Sequence, residues 1–242
     1  RPPRSTPSNS SAASDVYKRQ TDGSVEIIKK YEPWLTYWVS EPDRGQSHAI
    51  NKGFSRVTGD IVAWLNSDDV YLPHVFQRIA KYLETHSKVM AVFGDAWFVD
   101  EKGKRKALYK GVERPFVRRL MYWYGWEVPQ PTVFLRKKVL EKVGFLDESY
   151  EYALDYEWFL RVSRFFGLHH LGVTLALYRL HEKSKTGSWT ETRPKFHREC
   201  ERAIQQYIQW YKPIGIYIRL HKSIFALRGK IGKILRSLGI IS

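Results

Sequence analysis

The segment Ile61-Val62-Ala63-Trp64-Leu65-Asn66-Ser67-Asp68-Asp69 passes from five apolar residues to a polar, acidic turn with no linker between them. A short apolar run bounded by turn residues predicts a buried strand over Ile61–Leu65. The turn Asn66–Asp69 then stands at the strand's carboxyl end, where open α/β sheets bind their ligands. Two adjacent carboxylates repel each other unless a cation or hydrogen-bond donors offset them. A hard divalent cation with oxygen ligands, Mg2+ or Mn2+, meets that need and can hold a diphosphate as well. Taken alone, Asp68 and Asp69 read equally well as caps for the helix that Pro73 opens.

Outward from this segment, helical and strand patterns alternate, which is the mark of an α/β domain. Upstream, Ser24–Tyr31 predicts a short helix and Thr36–Val39 a strand. Ser47 is placed to cap a helix with Ile50, Phe54 and Val57 on its apolar face, closed by Gly59. Downstream, Pro73 opens a helix with Phe76, Ile79, Ala80 and Leu83 on one face. Val89–Phe93, Ala96–Val99 and Thr132–Leu135 predict strands. A helix with Val139, Leu140 and Val143 stops at Gly144. The next carries Leu154, Trp158, Val162 and Phe165 on one face and ends at Gly167. Leu171–Tyr178 alternates in strand fashion, and the chain from Pro194 onward reads as helical.

Composition bounds the possibilities. With 43% hydrophobic residues the chain is globular, and its 242 residues suffice for one sizeable core. The single cysteine, Cys200, excludes an internal disulfide, suits a reducing compartment and reads as a buried helical thiol. No apolar run approaches the roughly 18 residues a spanning helix needs. The net charge of +15 favours an anionic partner. Residues 1–20 are Pro-, Ser- and Ala-rich without periodicity, and Asp15-Val16-Tyr17-Lys18-Arg19-Gln20 looks like translated adapter sequence. The expected organisation is therefore a non-native leader over 1–20, an α/β domain over 21–194 that lacks its native start, and basic helices over 195–242.

The ordered set Ser40-Glu41-Pro42-Asp43-Arg44-Gly45-Gln46, Asn51-Lys52-Gly53, Gly59-Asp60, Asn66-Ser67-Asp68-Asp69, Gln130-Pro131-Thr132, Gly144-Phe145-Leu146-Asp147-Glu148, Asp155-Tyr156-Glu157-Trp158 and Tyr178–Thr186 resembles the inverting family 2 glycosyltransferases. The resemblance implies a GT-A fold: a Rossmann-like mixed sheet flanked by helices, here incomplete at its start. It implies a metal site at Asp69 with Asp68, and a catalytic base at Asp155. It also implies that Asp22, Asp43, Asn51, Lys52, Asp68 and His181 face a nucleoside-diphosphate sugar donor. The acceptor implied is a glycan or lipid-linked hydroxyl. Two departures stand out, His48 where relatives usually carry Asp and Leu154 where many carry Glu. The missing first strands lead to the expectation that the chain as it stands is a poor enzyme.

Beside that resemblance, the first turn of a helix favours the ionised carboxylate that a general base needs, which suits Asp155. Glu157 is a rival two positions on, directed elsewhere by the helix. His181, Lys183 and Lys185 follow the last strand in a polar loop that can close over a diphosphate or simply stand in solvent. His169 and His170 have no metal-ligand spacing around them. Tyr122, Trp123, Tyr124 and Trp126 suit sugar stacking, a membrane interface or core packing.

Two rival readings stay open: a nucleotidyltransferase with the same acidic turn, which releases pyrophosphate, and a non-enzymatic basic module that binds membranes. Nucleic acid is not expected, since no recognition motif is present. From Arg202 to the end there are eight Lys or Arg residues and no Asp or Glu. Tyr217, Leu220, Ile224, Leu227, Ile231, Ile234 and Leu238 recur there at helical spacing. That pattern predicts a basic amphipathic helix on an anionic surface, and so a cytoplasmic protein peripheral to the inner membrane face. Removing residues 214–242 is expected to abolish salt-sensitive sedimentation with anionic vesicles. Equal sedimentation with and without them would contradict it.

Overall fold

The computed structural model describes residues 23–113, 128–181, 184–185 and 188–208. In chain order these form α1 (Ser24–Tyr31), α2 (Gln46–Phe54), β1 (Ile61–Val62), β2 (Val70–Tyr71), α3 (Val75–Thr85), β3 (Ala91–Val99), β4 (Arg105–Tyr109), β5 (Phe134–Arg136), α4 (Lys137–Val143), α5 (Leu154–Phe165), β6 (His169–Arg179) and α6 (Trp189–Ile208). The sheet order is β1-β5-β3-β6-β2, with β4 also on β3. Among the described residues only β3 and β6 run parallel; every other pairing is antiparallel. The sheet is therefore mixed, with its long parallel pair at the centre.

Strand alternation sorts the core onto the two faces of this sheet. Val92, Phe134 and Leu175 pack with Val75, Ile79 and Leu83 of α3 on one side. Ala91, Phe93 and Leu135 pack on the other with α4, α5 and α6, through Val139, Leu140, Trp158, Leu160, Cys200, Ala203 and Ile204. Helix α6 runs through residue 194 without a break, with Pro194 inside it, and its buried residues join that larger core.

Several local expectations change in the structure. Val89–Phe93 and Ala96–Val99 are one strand, β3, because Gly94 lets β6 pass close: a Cβ there would lie 2.4 Å from the Val173 carbonyl. The register between β3 and β6 slips at this point. Thr36–Val39 forms no strand, and the strand at Ile61 stops after Val62. Beyond Val62 the chain is held by aromatic packing: Trp64 lies 5.3 Å from Trp158, 5.8 Å from Phe54 and 6.1 Å from Phe159 between ring centroids. Thr132 sits in a 3-10 turn, Gln130–Thr132, and the strand begins at Phe134.

On the helices, α2 begins one residue before Ser47, with Gly45 at its N-cap. Ser47 instead donates to the Tyr150 carbonyl at 3.1 Å. The buried face of α3 starts at Val75, while Phe76 and Ala80 are exposed. Phe165 likewise faces out at the end of α5.

Glu157 is 1% exposed on α5, and its carboxylate is matched on two sides. Arg161 donates to it from Nε at 2.7 Å and from Nη2 at 2.8 Å, and the Tyr207 hydroxyl from α6 at 2.5 Å. Arg161 also donates to the Val143 and Phe145 carbonyls at 2.6 and 2.7 Å, which ties α4 to α5. Losing Arg161 leaves a buried carboxylate without its cation, whereas losing the Tyr207 hydroxyl removes one bond of several. Arg161→Met is therefore expected to destabilise by about 3–5 kcal/mol, and Tyr207→Phe by about 1–3 kcal/mol. Urea denaturation checks both, and equal midpoints for the two variants would contradict the ranking.

Candidate functional site

The strands β3 and β6 end together, with Val99 opposite Arg179, and the acidic turn docks against that end. Asp69 is 5% exposed. Its Oδ1 accepts the Arg179 backbone N–H at 2.9 Å and its Oδ2 the Asn66 amide at 3.4 Å. The Arg179 guanidinium completes the clasp. It donates to the Asp68 carbonyl at 2.9 Å, to Asp100 at 2.9 Å and to Glu101 at 2.7 Å. Asp68 stays partly exposed, with Oδ2 3.1 Å from His181 Nε2.

Burial pushes the Asp69 carboxyl up to about 7, and the neighbouring Asp68 adds to this, against the Arg179 N–H and the Asn66 amide. The donors present thus do not fully offset the buried charge. Carboxylate oxygens are ligands that Mg2+ or Mn2+ accepts. Among the described residues no group of three or more His, Cys, Asp or Glu side chains is arranged to hold a metal ion. Asp68, Asp69 and His181 therefore do not make a complete ligand set by themselves.

A polar network leads away from the turn. Asn66 donates to Gln130 Oε1 at 3.0 Å and accepts from Gln46 Nε2 at 3.2 Å. Gln130 donates to the Trp64 carbonyl at 3.0 Å, which fixes the turn from below. Gln46 Oε1 accepts from Lys185 Nζ at 3.2 Å. Lys185 lies close enough to Asp155 for its charge to stabilise that carboxylate.

Asp155 is half-buried in the first turn of α5, and its Oδ1 accepts the Tyr156 N–H at 2.8 Å. Burial nevertheless pushes its carboxyl above the usual aspartate range, outweighing that N–H and Lys185. The helix terminus alone suggested a readily ionised group; desolvation reverses the direction. Glu157 is excluded as a base by its enclosure between Arg161 and Tyr207.

The other sequence candidates lie on or before α2. Asp43 is enclosed by His48 Nδ1 at 3.0 Å and by the Lys52 ammonium, which also reaches Glu41 at 2.9 Å. Burial alone would lower the Lys52 pKa, but Asp43 and Glu41 outweigh it and hold it above the usual lysine range. Asn51 exchanges two hydrogen bonds with the backbone of Leu146, each 2.9 Å. In this structure its amide braces the Gly144–Glu148 segment. Asp22, Lys183, the aromatic group at 122–126 and residues 214–242 lie outside the described residues.

Gln46, Gln130 and Arg179 were given no individual role from sequence. Arg179 at the last position of a long strand, one residue from a polar loop, was the available signal.

The raised Asp69 pKa carries a sign. Between about pH 4 and pH 7 the native state holds a proton there that the unfolded chain releases, so stability falls as pH rises through that window. In metal-free buffer, Asp69→Asn is expected to flatten the pH dependence of the urea midpoint, by no more than about 4 kcal/mol between its ends. Superimposable pH profiles for the two proteins would contradict the charge imbalance.

The chain spans about half the length of the relatives it matches. It is 26% identical over 140 residues to an uncharacterized glycosyltransferase of Methanocaldococcus jannaschii, covering 56% of this chain and 48% of that one. An uncharacterized glycosyltransferase of Nostoc is 30% identical over 174 residues, covering 66% and 53%. The amylovoran biosynthesis glycosyltransferase AmsE of Erwinia amylovora is 25% identical over 122 residues, covering 50% and 45%. Among solved structures, S. aureus TarS 1-349 in complex with UDP matches with TM-score 0.56 at 16% identity, covering 80% of this chain and 54% of that one. A Pyrobaculum calidifontis mannosyltransferase in complex with GDP-Man and Mn2+ matches with TM-score 0.51 at 14% identity, covering 93% and 71%. At these identities the structural likeness speaks for the fold, and it bears out the mixed GT-A sheet flanked by helices. The model of glycosyl transferase family 2 matches residues 19–144, just over half of the chain and including the acidic turn, so the chain belongs to that family.

Proposed function

We propose that this chain carries the catalytic centre of a glycosyltransferase that moves a sugar from a nucleoside-diphosphate donor to a hydroxyl of a glycan or lipid-linked acceptor, with inversion. The observation that carries the reading is the hydrogen-bonded path from Asp69 through Asn66 and Gln46 to Lys185, beside Asp155. It links the acidic turn to the surroundings of a separate carboxylate. A donor diphosphate at the turn leaves its sugar directed toward Asp155. Support also comes from UDP bound to TarS and from GDP-Man with Mn2+ bound to the mannosyltransferase. AmsE, by its name, serves amylovoran biosynthesis.

Asp69, Asp68 and His181 are the residues that would hold a divalent cation, whose bound charge offsets that of a departing diphosphate. The remaining work falls to the chain. Asp155 accepts the proton of the acceptor hydroxyl as its oxygen forms the new bond to the anomeric carbon. The bond to the diphosphate oxygen breaks on the opposite face, and its electron pair leaves with the nucleoside diphosphate. The raised Asp155 pKa makes it a stronger base than an ordinary aspartate, at the expense of its ionised fraction at low pH. Arg179 keeps the turn in place while charge shifts across it.

Two substitutions separate the roles. Asp155→Asn is expected to keep donor binding and to lose transfer by roughly two to four orders of magnitude. Asp69→Asn is expected to lose Mn2+-dependent donor binding and turnover while the fold is retained. Calorimetry with UDP, GDP and Mn2+, together with a transfer assay over a sugar-nucleotide panel, checks both. Release of pyrophosphate in place of nucleoside diphosphate would favour a nucleotidyltransferase, and unchanged transfer in Asp155→Asn would remove the base assignment.

A further inference from the structure

The short segment that delivers Asp155 to the site is gripped by two side chains of opposite charge from elements far away in sequence. From α6, Glu199 accepts the N–H groups of Glu151, Tyr152 and Ala153, with Oε2 at 3.1, 2.8 and 2.8 Å and Oε1 on Glu151 at 3.1 Å. From the loop after β6, Lys185 donates to the Glu151 carbonyl at 2.5 Å and to Gln46 at 3.2 Å. Its ammonium also stands 5.5 Å from the centre of the Tyr152 ring. Lys185 thus lies folded against residues 151–155, in a direction that the polar loop's sequence did not indicate.

We propose that Lys185 is a positioning residue that acts through Asp155, favouring the ionised form of the carboxylate by its charge and fixing the loop between α4 and α5 that presents it. This rests on Asp155 being the base. Among the described residues, the groups around that carboxylate leave Lys185 as its cation. On α5 itself, Glu157 is engaged by Arg161 and Tyr207. On α6, Glu199 is anionic and occupied by backbone N–H groups, Lys195 is drawn off to the Tyr152 hydroxyl at 3.1 Å, and burial pushes the Cys200 thiol up so that it stays neutral. Glu151 adds a negative charge just ahead of the helix. Burial lowers the Lys185 pKa while Glu151, Glu199 and Asp155 draw it back up, so the ammonium and the carboxylate sustain each other.

The consequence is a coupling between the two halves of the site. Lys185 meets Gln46, Gln46 meets Asn66, and Asn66 meets Asp69. A shift of the acidic turn on donor binding has a bonded route to the cation beside the base.

The experiment reads Asp155 directly and needs no donor. The carboxyl carbon of Asp155 is titrated by NMR in the whole chain, assigned by its absence in Asp155→Asn. Lys185→Met is expected to raise the titration midpoint by about one pH unit, since loss of a nearby cation disfavours the charged carboxylate. Lys185→Arg is expected to restore it to within a few tenths of a unit. An unchanged midpoint in a folded Lys185→Met protein overturns the proposal. So does a tenfold loss of UDP and Mn2+ affinity with Asp155 unmoved, which would make Lys185 a diphosphate ligand. If Lys185→Met fails to fold, Lys185→Gln is read by the same criteria. Transfer retained in Asp155→Asn would remove the base assignment, whereas an unmoved midpoint with transfer lost in Asp155→Asn removes only the role of Lys185.

Discussion

The Arg179 N–H that meets Asp69 Oδ1 at 2.9 Å joins the acidic turn to the last residue of the longest strand. The turn has almost no ladder of its own: the strand before it is two residues long, and so is the one after it. Its position therefore depends on this bond and on the Arg179 side chain, which holds the Asp68, Asp100 and Glu101 carbonyls together. A buried carboxylate that accepts backbone N–H is costly to displace. The same burial raises the Asp69 pKa, so the constraint that fixes the turn also leaves its charge without full compensation.

Behind the turn, packing supplies the rigidity that strand pairing does not. Trp64, Trp158, Phe54 and Phe159 form one aromatic cluster under residues 63–65. Trp158 also donates to the Gly144 carbonyl at 2.9 Å, where Gly144, at φ 77°, ends α4 in a conformation that suits glycine. Helix α5 thus braces the acidic turn on one side and carries Asp155 at its start. A substitution in this cluster acts on the spacing between the two carboxylate centres, far from any ligand.

Much of this was legible in the sequence. The helices α1, α3, α4 and α5 and the alternation that gives an α/β sheet follow from apolar spacing. The acidic turn stands out because a polar turn with two adjacent carboxylates directly follows an apolar run. What local patterns could not give were effects of tertiary contact. Gly94 and Asp95 look like a break between strands, yet they lie within β3 because β6 needs a residue without Cβ beside it. Ala63–Leu65 has the composition of a strand but packs as an aromatic plug. Within the candidate site, Asp69 and Asp155 stand out in the sequence by kind and position. Arg179, Gln46 and Glu199 do not, because their partners lie 20 to 139 residues away in sequence. The direction of Lys185 was hidden for the same reason.

The central claim is that one donor site lies on the Asp68–Asp69 turn with Asp155 facing it. Paramagnetic broadening by Mn2+, in the presence of UDP or GDP and read on the assigned amide spectrum, locates the cation directly. The account predicts the strongest broadening at Asn66–Asp69 and His181, a weaker effect at Asp155 and Tyr156, and none at the α3 face around Ile79. Broadening centred anywhere else on the chain, or a pattern unchanged in Asp69→Asn, would contradict it.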